Sequence, residues 1–167
     1  MLPSISLVLP MKKENFNYVK SLIEKAMAGD KFSQMDLAIV YHKGELTDVD
    51  LVEACYWYEK AALQGLPMAE FSIGFMLEHG FGTAKNEGQA LYWYKMAADH
   101  GIKEALFTLG LMHEEGRGCT QDIEKANIFY YKCANLNCPQ AIDKLRDLGL
   151  IIEDIWVNAW LGFSSVH

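Results

Sequence analysis

The sequence predicts an all-α fold built from 36-residue helix-turn-helix repeats with a different helix at each end. Three observations predict it. Residues 32–67, 68–103 and 104–139 align on one another without gaps. Within each copy, apolar residues recur at the 3.6-residue period of a helix in two separate stretches. Glycines then stand at fixed places where a helix must stop. The first two copies share Gly44/Gly80, Ala54/Ala90, Tyr56/Tyr92, Trp57/Trp93, Tyr58/Tyr94, Ala61/Ala97 and Gly65/Gly101. The second and third share Ala69/Ala105, Phe71/Phe107, Gly74/Gly110, Glu78/Glu114, Gly80/Gly116, Gly82/Gly118, Ala90/Ala126 and Tyr94/Tyr130.

The elements follow in chain order. Residues 14–31 supply a lone N-terminal helix, with Ala26 and Gly29 in the columns of Ala62 and Gly65. In the first helix of a repeat, Ala69, Ile73, Gly74 and Leu77 form one stripe and Gly80 stops it. In the second helix, Ala90, Trp93, Tyr94, Ala97 and Ala98 form another, stopped by Gly101. Asp50, Asn86 and Asp122 share one column as N-caps, and Asp50 with Glu53 and Asn86 with Gln89 have capping-box spacing. Small alanines let backbones approach, and the tryptophans and tyrosines fill the space between layers. Ala141 and Leu145 open a partial fourth repeat, and Ile151, Ile152, Ile155, Trp156, Trp160 and Phe163 have the spacing of a closing helix, so that 140–167 covers the last layer. The whole chain, 1–167, is expected to form a single repeat domain.

Composition narrows the function. The 167 residues are 51% hydrophobic, enough for a continuous core, and carry a net charge of −7 that repels a phosphate backbone. Nucleic acid is therefore not an expected partner. The apolar start is followed, not preceded, by Lys12 and Lys13, which is the wrong order for a secretory signal, and no apolar run reaches the roughly 20 residues of a membrane span. A cytoplasmic protein without a membrane partner is the expectation. Cys55, Cys119, Cys133 and Cys138 lack the paired spacings of a zinc site and read as reduced thiols.

The pattern Ala-x-x-x-Leu-Gly, Gly-x-Gly, Asp-x-x-x-Ala and Trp-Tyr-x-x-Ala-Ala-x-x-Gly resembles the Sel-one-like repeat, a relative of the tetratricopeptide repeat. Ala105 through Gly118 with Asp122 and Ala126, and Ala90 through Gly101, carry it most clearly. Ser33, Ala38, Leu46 and Asn137 depart from it. The resemblance implies a right-handed α/α solenoid whose first-type helices line a concave wall, and a scaffold or adaptor role.

No chemistry competes strongly with that role. Gly80-Phe81-Gly82 and Gly116-Arg117-Gly118 follow helices and lack a Walker lysine, so they read as turns. His42, His79, His100, His113 and His167 contain no i, i+4 pair, and no serine or cysteine stands in a nucleophile motif. No catalytic residue, metal or cofactor is expected. A second stripe on the first-type helices is the candidate protein-binding surface: Met35, Ile39, His42 and Lys43, then Phe71, Phe75, Glu78 and His79, then Phe107, Leu111, Glu114 and Glu115. Its centre is apolar and its rim polar. Glu78, Glu114, Glu115, Asp143 and Asp147 make the later wall acidic, which suits a protein partner with a basic surface. The expected function is a non-enzymatic protein-binding adaptor. An immunity protein neutralising a basic, possibly nuclease, toxin and a small hydrolase of an extended or cell-wall-like substrate are the alternatives.

Overall fold

Helices begin and end where local chemistry requires it, at the same places in each repeat. The structure, a computed structural model, describes residues 13–150. Among them lie α1 (Lys13–Met27), α2 (Lys31–Lys43), α3 (Leu51–Ala62), α4 (Pro67–His79), α5 (Glu87–Asp99), α6 (Lys103–Glu115), α7 (Ile123–Ala134) and α8 (Pro139–Asp147), with no strand. The starts of α2, α4 and α6 are 36 residues apart, as are those of α3, α5 and α7. The closing helix expected from Trp156 and Trp160 lies outside the described residues.

The second helices are capped as expected, but only half of each capping box forms. The Asp50 carboxylate accepts from the amides of Val52 and Glu53, the Asn86 side chain from Gln89 and the Asp122 carboxylate from Lys125. The return arm would need the cap residue's own N–H, and a carbonyl of the first helix has already taken it. Asp50 donates to Tyr41 O at 2.9 Å, Asn86 to Leu77 O at 2.8 Å and Asp122 to His113 O at 2.8 Å. Glu53, released from capping, accepts instead from the Trp57 indole at 3.0 Å. These bonds fix the turn between the two helices of a repeat.

The chain divides into two compact units between Ile102 and Lys103. In the first, α1 packs on α2, α2 on α3, α3 on α4 and α4 on α5. In the second, α6 packs on α7 and α7 on α8. The core of the second and third repeats is a tyrosine of the second helix laid on a glycine of the first. A Cβ added to Gly74 would stand 2.9 Å from the Tyr94 ring, and one on Gly110 would stand 2.3 Å from the Tyr130 ring. Both tyrosines are fully buried. Burying such a ring removes roughly 150–250 Å² from water, a dominant share of what one helix pair can gain. The first repeat has Ala38 at this position and still buries Tyr58. Burial pushes the Tyr58 hydroxyl up to about 12 against a hydrogen bond from Ser72.

The tryptophan column behaves less uniformly than the sequence suggests. Trp57 is buried, whereas Trp93 is only half-buried and Tyr56 and Tyr92 are exposed. The tyrosines at 58, 94 and 130, not those two residues earlier at 56 and 92, fill the space between the paired helices.

A polar tie links the start of the first helix to the end of the second, and it differs between repeats. In the first, Gln64 Nε2 donates to Gln34 Oε1 at 2.7 Å, and Gln34 Nε2 in turn donates to Ala26 O at 3.0 Å. In the second the same columns hold Glu70, fully buried, and His100, which is exposed, 2.8 Å apart. In the third they hold Leu106 and Leu136.

The Gly82 turn fixes how the second repeat meets the first. Gly82 has φ +68°, and a Cβ there would lie 1.9 Å from the Leu51 carbonyl oxygen at the start of α3. Gly65 has φ +71° with nothing in the way. Gly65→Ala should therefore cost only the left-handed backbone penalty, roughly 1–2 kcal/mol. Gly82→Ala should cost at least about twice that, because backbone must move. Urea unfolding of the two variants checks the difference, and equal losses would contradict this packing.

Candidate functional site

The second stripe on the first-type helices stands outside the packed core. Met35, Ile39 and His42 on α2, Phe71, Phe75 and Glu78 on α4, and Phe107, Leu111 and Glu114 on α6 are partly exposed, and Lys43, His79 and Glu115 are exposed. The neighbouring packing stripe is buried: Leu37 and Ala38, then Ala69, Ile73 and Leu77, then Ala105 and Leu109. This separation follows from the helical period, which turns residues one position apart by about 100°.

The phenylalanines divide into two kinds. Phe71 lies 5.4 Å from Tyr94 and Phe107 lies 5.7 Å from Tyr130, ring centre to ring centre, so both extend the tyrosine–glycine core of their own repeats. Phe75 belongs to a surface cluster. Its ring is 4.2 Å from His79 and 5.8 Å from Phe81, and His79 stacks on Phe81 at 5.4 Å. The Phe75 carbonyl can only accept, so His79 Nδ1–H donates to it at 3.0 Å and the imidazole is held in place. Phe81 is 38% exposed. In the sequence Phe81 stands between the two turn glycines Gly80 and Gly82. The available signal was an aromatic at the same place where the other repeats carry Glu45 and Arg117.

The carboxylates at the helix ends are largely committed inside the fold. The Tyr94 hydroxyl donates to Glu78 at 2.6 Å and the Tyr130 hydroxyl to Glu114 at 2.5 Å. In the first repeat His42 Nδ1 meets the Tyr58 hydroxyl at 3.3 Å in the same column. Lys144 of α8 pairs with the other oxygen of Glu114 at 2.8 Å, Arg117 pairs with Glu115 at 2.5 Å and Arg146 pairs with Asp143 at 2.6 Å. Of the acidic wall expected from the sequence, Glu114, Glu115 and Asp143 are thus met by cations from their own unit.

One cysteine–histidine pair emerges that no sequence motif signalled. Cys119 Sγ lies 3.4 Å from His113 Nδ1 across the Gly116–Gly118 turn, with His113 stacked on Phe129. Burial pushes the Cys119 thiol up and, with the nearby Lys125 charge, pulls His113 down. Both shifts favour the neutral pair. An activated nucleophile needs the opposite, a thiolate beside an imidazolium. Cys133 is fully buried in an alanine column, and its thiol is likewise pushed up by burial. Among the described residues no group of histidine, cysteine and acidic side chains is arranged to hold a metal ion, and no helix is long and apolar enough to cross a membrane.

A concavity of about 470 Å³ also opens beside α1 and α3, lined by Met27, Gln34, Glu53, Tyr56, Trp57 and Lys60. Its polar groups already serve the fold: Glu53 holds Trp57, Gln34 holds Gln64, and Lys60 lies 5.2 Å over the Tyr56 ring.

Helix pairs at a 36-residue period, with a tyrosine–glycine core and no activated nucleophile among the described residues, define a repeat protein of the all-α solenoid class. A Sel1 repeat profile matches residues 31–66, 67–102 and 103–138, and the chain belongs to the Sel1 repeat family. A Sel1 repeat protein from Oxalobacter formigenes is 32% identical with a TM-score of 0.70, the match covering 78% of this chain and 98% of that one. A protective antigen of uropathogenic Escherichia coli strains, described as having an SLR fold, is 24% identical with a TM-score of 0.64, over 76% of this chain and 35% of that one. Helicobacter pylori cysteine rich protein B shares the fold at 16% identity and a TM-score of 0.61, over 77% of this chain and 95% of that one. No curated protein matches. Proteins of this family generally mediate protein–protein interactions, and the scaffold is typically non-enzymatic.

The Glu114 geometry gives a pH dependence. Burial tends to raise this carboxyl, but hydrogen bonds from Lys144 and Tyr130 and the Lys144 charge outweigh it and hold the group below its ordinary 4.5. A carboxyl depressed on folding contributes stability that is complete above 4.5 and is lost as pH falls through the lower folded value. Melting temperature should therefore drop in that acid window. Glu114→Gln should lower stability at neutral pH and make the acid decline shallower. A decline of unchanged steepness in the variant would show that the Lys144–Glu114–Tyr130 chain is not coupled to folding.

Proposed function

We propose that the chain is a non-enzymatic protein-interaction module that engages its partner through the α4 surface centred on Phe75, His79 and Phe81. The observation that carries this is the aromatic cluster itself. Three rings held against one another by stacking and by the His79–Phe75 carbonyl bond are pre-ordered, so a partner that covers them loses little side-chain entropy at the contact. Glu78 and the remainder of the stripe, Met35, Ile39 and His42 on α2, flank it as the rim of the same unit. Phe107, Leu111, Glu114 and Glu115 on α6 offer the corresponding face of the second unit. Family membership supports the same reading.

Charge is a weaker guide. Glu114, Glu115 and Asp143 already face Lys144, Arg117 and Arg146, so we do not extend the reading to a basic partner or to toxin inhibition. The neutral Cys119–His113 pair gives a hydrolase no nucleophile.

Phe75→Asp and Phe81→Asp test the assignment. Each should weaken binding of a protein that co-purifies with the wild-type chain by at least roughly 30-fold, the scale of an interface hot spot of about 2 kcal/mol. Both residues are partly exposed, so the circular dichroism spectrum should be retained. Titration of that partner against the folded variants decides the matter, and unchanged affinity in both would overturn the α4 assignment.

A further inference from the structure

The groove between α3 and α5 is emptier than its counterpart one repeat earlier, and its residues account for the difference. A concavity of about 430 Å³ opens there within the first unit, floored by Ile73 and Leu77 of α4 and walled by Cys55, Tyr92 and Trp93. That volume lies within the roughly 300–1,000 Å³ of small-ligand sites. One repeat earlier, the columns of Cys55, Glu59 and Leu77 hold Val19, Ile23 and Tyr41, all buried, and Trp57 is buried with them. In the second repeat cysteine replaces valine, leucine replaces tyrosine, and Gly88 stands where the first repeat has Val52. Three side chains are smaller, and Trp93 is left half-buried beside the space this opens.

Two groups in the lining lack partners. In the first repeat Glu53 accepts from the Trp57 indole at 3.0 Å. Gln89 takes the place of Glu53 in the second, and the Trp93 indole N–H makes no hydrogen bond among the described residues. Glu59 stands where the preceding helix has Ile23, and its carboxylate forms no salt bridge or hydrogen bond among the described residues. Burial, helped by the Glu59 charge, pushes the Cys55 thiol up. The thiol is therefore neutral, and Glu59 is the one charged side chain of the lining. Tyr92 and Trp93, with ring centres 5.3 Å apart and planes inclined at 72°, add aromatic faces to the wall.

We infer that this groove is a binding site for an arginine side chain presented by a peptide. The unpaired Glu59 carboxylate supplies the opposite charge. The indole and phenol faces suit a planar, weakly hydrated guanidinium, whereas an ammonium is compact and strongly hydrated. The aliphatic floor of Ile73 and Leu77 takes the methylenes of the stem. The Trp93 N–H cannot serve a cation, so it calls for an acceptor beside the stem, which a peptide carbonyl provides. Ile73 and Leu77 belong to the packing stripe of α4, and Phe75 to the other, so the site stands apart from the aromatic cluster of Phe75, His79 and Phe81.

The chain has four tryptophans, each with one indole N–H signal in a nitrogen-15 spectrum, and Trp93→Phe identifies the signal of residue 93. The full chain is titrated with N-acetyl-arginine methylamide, with agmatine, which keeps the guanidinium and lacks the carbonyls, and with N-acetyl-lysine methylamide. The Trp93 signal should move saturably with the arginine amide at a Kd of about 1 mM or tighter, and the other two should bind several-fold more weakly. Glu59→Gln, at an exposed position, should weaken binding about 5-fold, the upper end of what an exposed ion pair contributes. Cys55→Val/Glu59→Ile, which gives the groove the first repeat's residues, should abolish binding with the circular dichroism spectrum retained. Absence of saturable movement at Trp93 in the millimolar range, equal binding of the lysine amide, or an affinity unchanged in Glu59→Gln would overturn the inference. Equal binding of agmatine would overturn the peptide as the source of the guanidinium. Phe75→Asp should leave this titration unchanged, which separates its outcome from that of the α4 surface.

Discussion

The second and third repeats lean on one contact: a tyrosine ring of the second helix packed against the bare backbone of a glycine in the first. At Gly74 and Gly110 the contact closes the space that a side chain would occupy. Two features accompany it. The helices of a pair approach closely enough for the cap residue to bond to the first helix. The tyrosine hydroxyl is carried one turn further along, where residue 78 or 114 must supply an acceptor. Glycine, tyrosine and glutamate are thus one device read at three positions. Leaving the hydroxyl buried without its carboxylate would cost roughly 1–3 kcal/mol.

Against that repeated frame, individuality sits at the positions the device does not use. Residues 39, 75 and 111 share a column and are isoleucine, phenylalanine and leucine, and residues 45, 81 and 117 are glutamate, phenylalanine and arginine. Only the second repeat places aromatic rings in both, and there they gather with His79 into a surface cluster. The frame holds this cluster without contributing to its chemistry. In the same way the third repeat places asparagine, at φ +56°, where the first two have a left-handed glycine.

Periodicity made the fold legible. Helix starts, glycine stops and side-chain caps are local events, and each leaves a residue type at a fixed spacing. What escaped is what depends on two elements at once. Trp93 shares a column with Trp57 but is half-buried, because burial depends on neighbours that a column does not specify. The capping-box spacing at Asp50 and Glu53 was correct, yet the return bond was pre-empted by Tyr41 of another helix. The acidic residues were visible as charges, but not that Lys144, Arg117 and Arg146 would face them. Of the stripe, the sequence could place residues on one side of a helix. It could not separate Phe71, which completes a core, from Phe75, which joins a surface cluster. Phe81 was hidden because turn glycines on both sides drew the reading to conformation instead of side chain.

The ties thirty residues apart bear on how such an array can grow. Gln34 meets Gln64, Glu70 meets His100, and the third repeat has leucine in both places. Each pair joins the opening of one helix hairpin to its own ending. A crossover with its breakpoint inside a hairpin could set the buried Glu70 carboxylate against a leucine, leaving it without a hydrogen-bond partner at a cost of roughly 1–3 kcal/mol or more. Breakpoints that fall between hairpins carry both members of a pair together. Exchange of whole hairpins would therefore keep each buried polar group with its partner, and exchange of half a hairpin would not.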